Sequence, residues 1–170
     1  MDTLQALFSR RSIRKFTAEP VSEQSVQEIL EAAMSAPSAG NQQPWHFIVI
    51  NDRMLLDRVP DFHPHSLMCR EAPMAILVCG DPTLERHAGY WVQDCAAATE
   101  NLLLAIHATG LGGVWVGVYP REERVTGFRK LLKIPEHVTP FALIPVGHPA
   151  EQKPPRSDRY NQSRIHKNTW

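Results

Sequence analysis

The chain has 170 residues, of which 43% are hydrophobic and 21% charged, proportions that suit one globular domain with its own core and exclude extensive disorder. Eighteen Lys and Arg are balanced by eighteen Asp and Glu, so no global field exists to gather nucleic acid or an anionic membrane, and any anion site must be local. No apolar run approaches the roughly 18 residues of a membrane span, and MDTLQALFSRRSIRKF puts its basic cluster after its apolar segment, the reverse of a secretory signal; the expected location is the cytoplasm.

In chain order, residues 2–9 read as a short helix. The stretch VSEQSVQEILEAAMSA then offers Ser22 as an N-cap, Val26, Ile29, Leu30 and Ala33 on one helical face, and Pro37 as a stop. WHFIVI (45–50) reads as a strand, and MAILVCG (74–80), apolar throughout, as a strand buried on both faces. From 84 to 109 there is no proline and one glycine, and Trp91, Cys95, Ala98, Leu102 and Ile106 recur at helical spacing. That predicts a helix of about 40 Å at 1.5 Å per residue. Its second half is apolar on most faces, which places it at the axis of the fold or of a dimer. VWVGVY (114–119) follows as a strand, REERVTGFRKLLK (121–133) as an amphipathic helix, and FALIPVG (141–147) as the last strand. Four strands among flanking helices describe an α+β or mixed α/β sandwich. Residues 148–170 are polar, basic and proline-bearing, without a periodic apolar face.

Three stretches are candidates for chemistry. In RRSIRKF (10–16), Arg10, Arg11, Arg14 and Lys15 surround the Ser12 hydroxyl, the donor set that a phosphomonoester demands; the same cations would also complement the C-terminal dipole of helix 2–9. PSAGNQQPW (37–45) carries Ser38, Asn41, Gln42 and Gln43 and no charge. Amides of that kind pair both edges of a neutral heterocycle, or else close an ordinary turn on their own backbone. LGGVWVGVY (111–119) has glycines at 112, 113 and 117, which let backbone approach a flat ligand, although Gly117 equally suits a bulge.

The remaining reactive residues point away from other chemistries. Cys69, Cys79 and Cys95 are odd in number, widely spaced and set in apolar surroundings, the pattern of reduced core thiols. His63 and His65 form an HxH in DFHPHS, with no partner at metal-ligand spacing, so no metal is expected. DFHPHS itself reads as a mobile loop able to cover a pocket, or as plain surface. No nucleophile elbow or Cys–His signature is present, and no catalytic side chain is assigned.

An anion clamp, an uncharged amide loop and a close-approach glycine segment together describe a ligand with a phosphate at one end and a flat heterocycle at the other. RRSIRKF, PSAGNQQPW, GLGGVWVG and IPVGHP followed by basic residues resemble, in that order, the FMN-dependent nitroreductase family, in particular its compact bacterial members. The resemblance runs from residue 4 to the C-terminus. It implies an α+β fold with a central mixed, mostly antiparallel sheet, and an intertwined homodimer with two FMN molecules in the subunit interface. It implies a single domain over residues 1–170, with 148–170 as an arm embracing the partner.

By similarity, Arg10, Arg11, Ser12 and Arg14 hold the phosphate and ribityl chain, while Ser38, Asn41 and Gln43 reach the flavin from the other subunit. Trp115, Val116 and Gly117 line the ring, and Arg156 also meets the phosphate, with Lys153 and Arg159 as rivals. The family often has an acidic residue where Val116 stands. The implied activity is transfer of hydride from NADH or NADPH, through FMN, to nitroaromatic, quinone or related acceptors by a ping-pong mechanism, the cofactor supplying the reactive atom. The same fold hosts flavoenzymes with other substrates, such as dehydrogenases and dehalogenases, and a non-catalytic FMN-binding protein is a further alternative.

Overall fold

The computed structural model describes residues 1–170. Its backbone is one antiparallel sheet with helices on both faces. The elements are α1 (Thr3–Ser9), α2 (Glu23–Met34), β1 (Trp45–Ile50), α3 (Arg53–Arg58), β2 (Met74–Gly80), α4 (Trp91–Ala108), β3 (Gly112–Gly113), β4 (Val116–Gly117), α5 (Glu122–Leu132) and β5 (Thr139–Gly147), with short 3-10 turns between them. Strands run β1-β2-β5-β3 across the sheet, and β4 also pairs with β5.

The central strand β2 is buried at all seven positions, and its alternation divides the core. Met74, Ile76 and Val78 point to one layer, where Ile29 and Ala33 of α2 meet Cys95, Ala98 and Leu102 of α4. Ala75, Leu77 and Cys79 point to the other, with Leu56 of α3 and Val125 and Phe128 of α5. A strand with period 2 whose two faces are both apolar requires two covering layers.

Local signals explain most element ends. Asp2 caps α1 by accepting from the Gln5 amide at 2.9 Å, and Ser22 caps α2 by accepting from Ser25 at 3.1 Å. Three expectations need correction. The helix expected over 84–109 begins only at Trp91, because the preceding amides find other acceptors. Arg86 and His87 donate to the Gln42 side chain at 2.9 and 3.1 Å, and Gly89 and Trp91 donate to Glu85. The helix is therefore 18 residues long, about 27 Å at 1.5 Å per residue.

The strand expected over 114–119 is two two-residue pieces, β3 and β4, on the same side of β5. The break falls at Val114 and Trp115, so the sheet has five strands and not four. DFHPHS is not plain surface: it is wound into short turns in which His63 and Ser66 are buried, and Ser66 Oγ donates to the His63 carbonyl at 2.7 Å. Helix α3, capped by Asp52, had no counterpart in the sequence reading. No helix is long and apolar enough to cross a membrane.

Candidate active site

Two adjoining clefts lie where the N-terminal segment meets the interrupted edge of the sheet. After α1 the chain turns extended at Arg10, and Ile13 donates its amide to the Gly113 carbonyl at 3.0 Å. That approach needs Gly112, where a Cβ would stand 2.8 Å from Ile13. Thr17 and Ala150 then exchange backbone bonds with His148 and Lys15, at 2.9 Å each, which carries the C-terminal segment back to the arginines.

Glu151 fastens the junction. Its carboxylate accepts from the Arg14 amide at 2.6 Å and from Lys15 at 3.3 Å. Lys153 Nζ donates to Glu151 at 3.0 Å and to the Ser12 carbonyl at 2.9 Å. The Arg14 amide first, and Lys153 after it, hold the Glu151 carboxyl below its usual pKa, so it is ionised at neutral pH. Arg11 donates to the Pro154 carbonyl.

The first cleft, about 250 Å³, is lined by Arg10, Arg11, Ser12 and Arg14 from the N-terminal side and by Lys153, Arg156 and Arg159 from the C-terminal side, with no apolar residue among them. Arg10 is shared with Glu100 at 3.6 Å and Arg156 with Asp158 at 3.7 Å, whereas Arg11, Arg14 and Arg159 have no carboxylate partner. Guanidinium charge left without a carboxylate in this way matches an anion with several acceptor oxygens. All three tail cations border the same space, so the choice between Lys153, Arg156 and Arg159 is not exclusive.

The second cleft, about 430 Å³, shares Arg14 with the first and continues along the broken edge strand. Val114, Trp115, Val116 and Gly117 form one wall, and His63, His65, Met68 and Arg124 contribute to the rest. Trp115 stands edge-on to Phe141, ring centroids 5.7 Å apart. The Val116 side chain belongs to the core, so its contribution to the cleft is backbone. At Gly117 no atom lies within 4 Å of where a Cβ would be: the open space there is the cleft.

Ser38, Asn41 and Gln43 are not in either cleft. Their loop is pinned to the first turn of α4, where the buried Asp94 accepts from the Ala39 amide at 3.0 Å and from Gln42 Nε2 at 2.7 Å. Ser9 and Arg10, by contrast, meet His107 and Glu100 further along the same helix, and from Asp94 to His107 is about 20 Å at 1.5 Å per residue. Gln42 is therefore structural, while Asn41 and Gln43 are exposed and held at φ 56 and 47, with Gln43 donating to Asn41 at 2.9 Å. Gly40 turns that loop at φ 53, with a Cβ position only 2.6 Å from His87.

The sequence reading missed Asp94, whose acid is hidden in an apolar helix, and it missed Arg124, which looked like one charge on an amphipathic face. His63 was legible only as half of an HxH. No group of three His, Cys, Asp or Glu side chains is arranged to hold a metal. The three cysteines are free and buried, and burial pushes the thiols of Cys69 and Cys79 up to about 12, which leaves them unreactive at neutral pH.

Known proteins resemble this chain along most of its length. The family model described as "Nitroreductase family" matches residues 7–67 and 63–148. A protein of Methanothermobacter thermautotrophicus named "Putative NADH dehydrogenase/NAD(P)H nitroreductase" is 51% identical over 170 residues, covering 100% of this chain and 88% of its own. An FMN-dependent nitroreductase from Clostridium difficile superposes with a TM-score of 0.92 at 27% identity, covering 99% of this chain and 100% of that one. A chain from Desulfovibrio desulfuricans, solved in complex with FMN, superposes with a TM-score of 0.84 at 34% identity, covering 100% and 99%.

Proposed function

The chain belongs to the nitroreductase family, and from that premise we propose that its two clefts hold one FMN, phosphate among the arginines and ring along the broken edge strand, for the reduction of nitroaromatic, quinone or related acceptors in a ping-pong cycle. It is an NAD(P)H-dependent oxidoreductase with FMN as cofactor. Bound FMN supplies the hydride-accepting and hydride-donating chemistry.

The observation that carries the reading is the junction of the two clefts at Arg14, an all-polar cationic space opening directly into one with an aromatic wall. Arg10, Arg11, Ser12, Arg14, Lys153, Arg156 and Arg159 serve the phosphate and ribityl end. Backbone at Trp115, Val116 and Gly117 lies along the ring, close enough because Gly117 has no side chain. The open face above the ring takes the nicotinamide and then, after it leaves, the acceptor.

Ser38, Asn41 and Gln43 act in a homodimer, on the cofactor held by the partner. Their distance from the cationic cleft of their own chain supports this, as do the half-buried Ala96, Ala97 and Ala105 of α4 and the exposed apolar side chains of Leu4, Leu7 and Phe8 on α1. Residues 1–170 form one domain, whose 148–170 arm extends onto the partner. Its terminal Trp170 is fully exposed in the single chain. Free, buried thiols fit action in the reducing cytoplasm.

The test is cofactor content. Replacing Arg10 and Arg14 by alanine removes two charge-assisted contacts of about 1.5–3 kcal/mol each, roughly ten- to hundredfold in FMN affinity per arginine. Purified variant is expected to be colourless where the parent is yellow and is bleached by NADH or NADPH. Unchanged FMN retention in the double variant would count against the assignment of the phosphate end.

A further inference from the structure

The wall of the ring cleft contains one peptide held from outside the sheet. Gly117 pairs with Ala142 of β5, and its neighbour Val118 donates its amide to Phe141 at 3.1 Å. In an antiparallel ladder the intervening residue turns its own amide and carbonyl to the other side. There the Gly117 carbonyl accepts twice: from His63 Nε2 at 2.9 Å and from Arg124 Nη1 at 2.8 Å. The two donors come from separate elements, the turn after Phe62 and the first turn of α5.

Both donors are fixed in form. A carbonyl only accepts, so His63 Nε2 carries a proton, while its Nδ1 accepts from the His65 amide at 3.4 Å. The ring is thus the neutral Nε2–H tautomer. Burial, against the pull of the Gly117 carbonyl, and the positive charge of Arg124 keep its pKa low. Arg124 has no carboxylate within ion-pair distance, and its Nε is buried without a partner. A guanidinium without a carboxylate beside a partly closed cleft acts on charge that develops there with no neighbouring acid to offset it.

We propose that His63 and Arg124 form a two-donor clamp on the Gly117 carbonyl, which holds Gly117 with its own amide turned toward the cleft and, with the charge of Arg124, raises the reduction potential of the flavin bound there. The inference rests on the FMN reading above. Hydride from NAD(P)H brings two electrons and one proton to the ring, leaving NAD(P)⁺ and one added negative charge on the ring. The Gly117 amide, fixed in direction through the residue's clamped carbonyl, and an unpaired cation both stabilise that charge relative to the oxidised ring. His63 and Arg124 are positioning residues in this account.

The experiment measures the midpoint potential and Kd of FMN in the holoprotein and in Arg124→Met, Arg124→Gln and His63→Leu. Arg124→Met is expected to shift the ratio of reduced-to-oxidised FMN affinities by at least tenfold, a drop of about 30 mV for the two-electron couple, while oxidised FMN is retained. Arg124→Gln keeps a donor without the charge and is expected to move the same way, so it carries the test if Arg124→Met does not fold. His63→Leu gives a smaller drop. In cofactor-free Arg124→Met the His63 resonances are expected to titrate at higher pH than in the parent. Retained FMN with a ratio changed less than twofold overturns the clamp and leaves the FMN reading standing. A parent protein that binds no FMN overturns both.

Discussion

Gln42 sits between Asn41 and Gln43 and has the opposite task. Its amide donates to Asp94 and its carbonyl accepts two backbone amides, at residues 86 and 87, so the side chain is turned inside. Its neighbours point outward from left-handed backbone, a conformation that side chains other than glycine adopt at a cost of about 1–2 kcal/mol. One buried carboxylate thus underwrites the display of two exposed amides. Asp94→Ala leaves the Ala39 amide and the Gln42 Nε2 group without an acceptor. We expect it to lower stability by about 1–3 kcal/mol, visible as a lower Tm, and to weaken FMN retention although no cleft residue is touched. By residue type alone the three polar residues were equivalent members of an uncharged loop, and only the resemblance set Gln42 apart. What separates them is the acceptor fifty-two residues away, and spacing along a loop carries no information about that.

Strand β2 was legible because every position from 74 to 80 is apolar, and the two core layers that cover it are a direct consequence. Helix α4 was legible in type and not in its start, because side chains of Gln42 and Glu85 replace helical carbonyls as acceptors over residues 86–91. The six-residue α3 is shorter than its own periodicity can announce. DFHPHS looked like surface on polarity, yet His63 is buried as a donor to the edge strand. That edge is the element proposed to be functional, since Val116 and Gly117 pair only with β5 and Gly117 lines the cleft. Gly117→Ala adds a methyl group that meets no protein atom within 4 Å. Its stability, followed by thermal unfolding, is therefore expected to stay within about 1 kcal/mol of the parent by the glycine-to-alanine range, while FMN affinity falls as the methyl enters the cleft. Loss of folding in that variant would show that the space belongs to the protein and not to a ligand.

For the whole molecule, the single chain leaves Leu4, Leu7 and Phe8 of α1 exposed, a face that the proposed homodimer would cover. Phe8 is 70% exposed and packs on nothing in its own chain that would miss it. Phe8→Asp is expected to leave the Tm of the isolated subunit unchanged, to move the mass in solution from twice 19.2 kDa toward 19.2 kDa, and to release FMN in parallel. A single subunit that retains FMN at full affinity would remove the partner's loop from the site. The resemblance in motif order announced the family, but which copy supplies each motif is a matter of assembly, beyond what spacing within one chain can encode.

The cationic cleft is closed by contacts such as that from Arg11 to Pro154, 143 residues apart. On the ribosome the arginines of RRSIRKF emerge early and stay without their opposite wall until nearly the whole chain has been made. Under the proposed FMN assignment cofactor capture is then a late event in biogenesis, and a subunit interrupted before Lys153 can have a complete sheet and both core layers and still present only half of the cationic cleft.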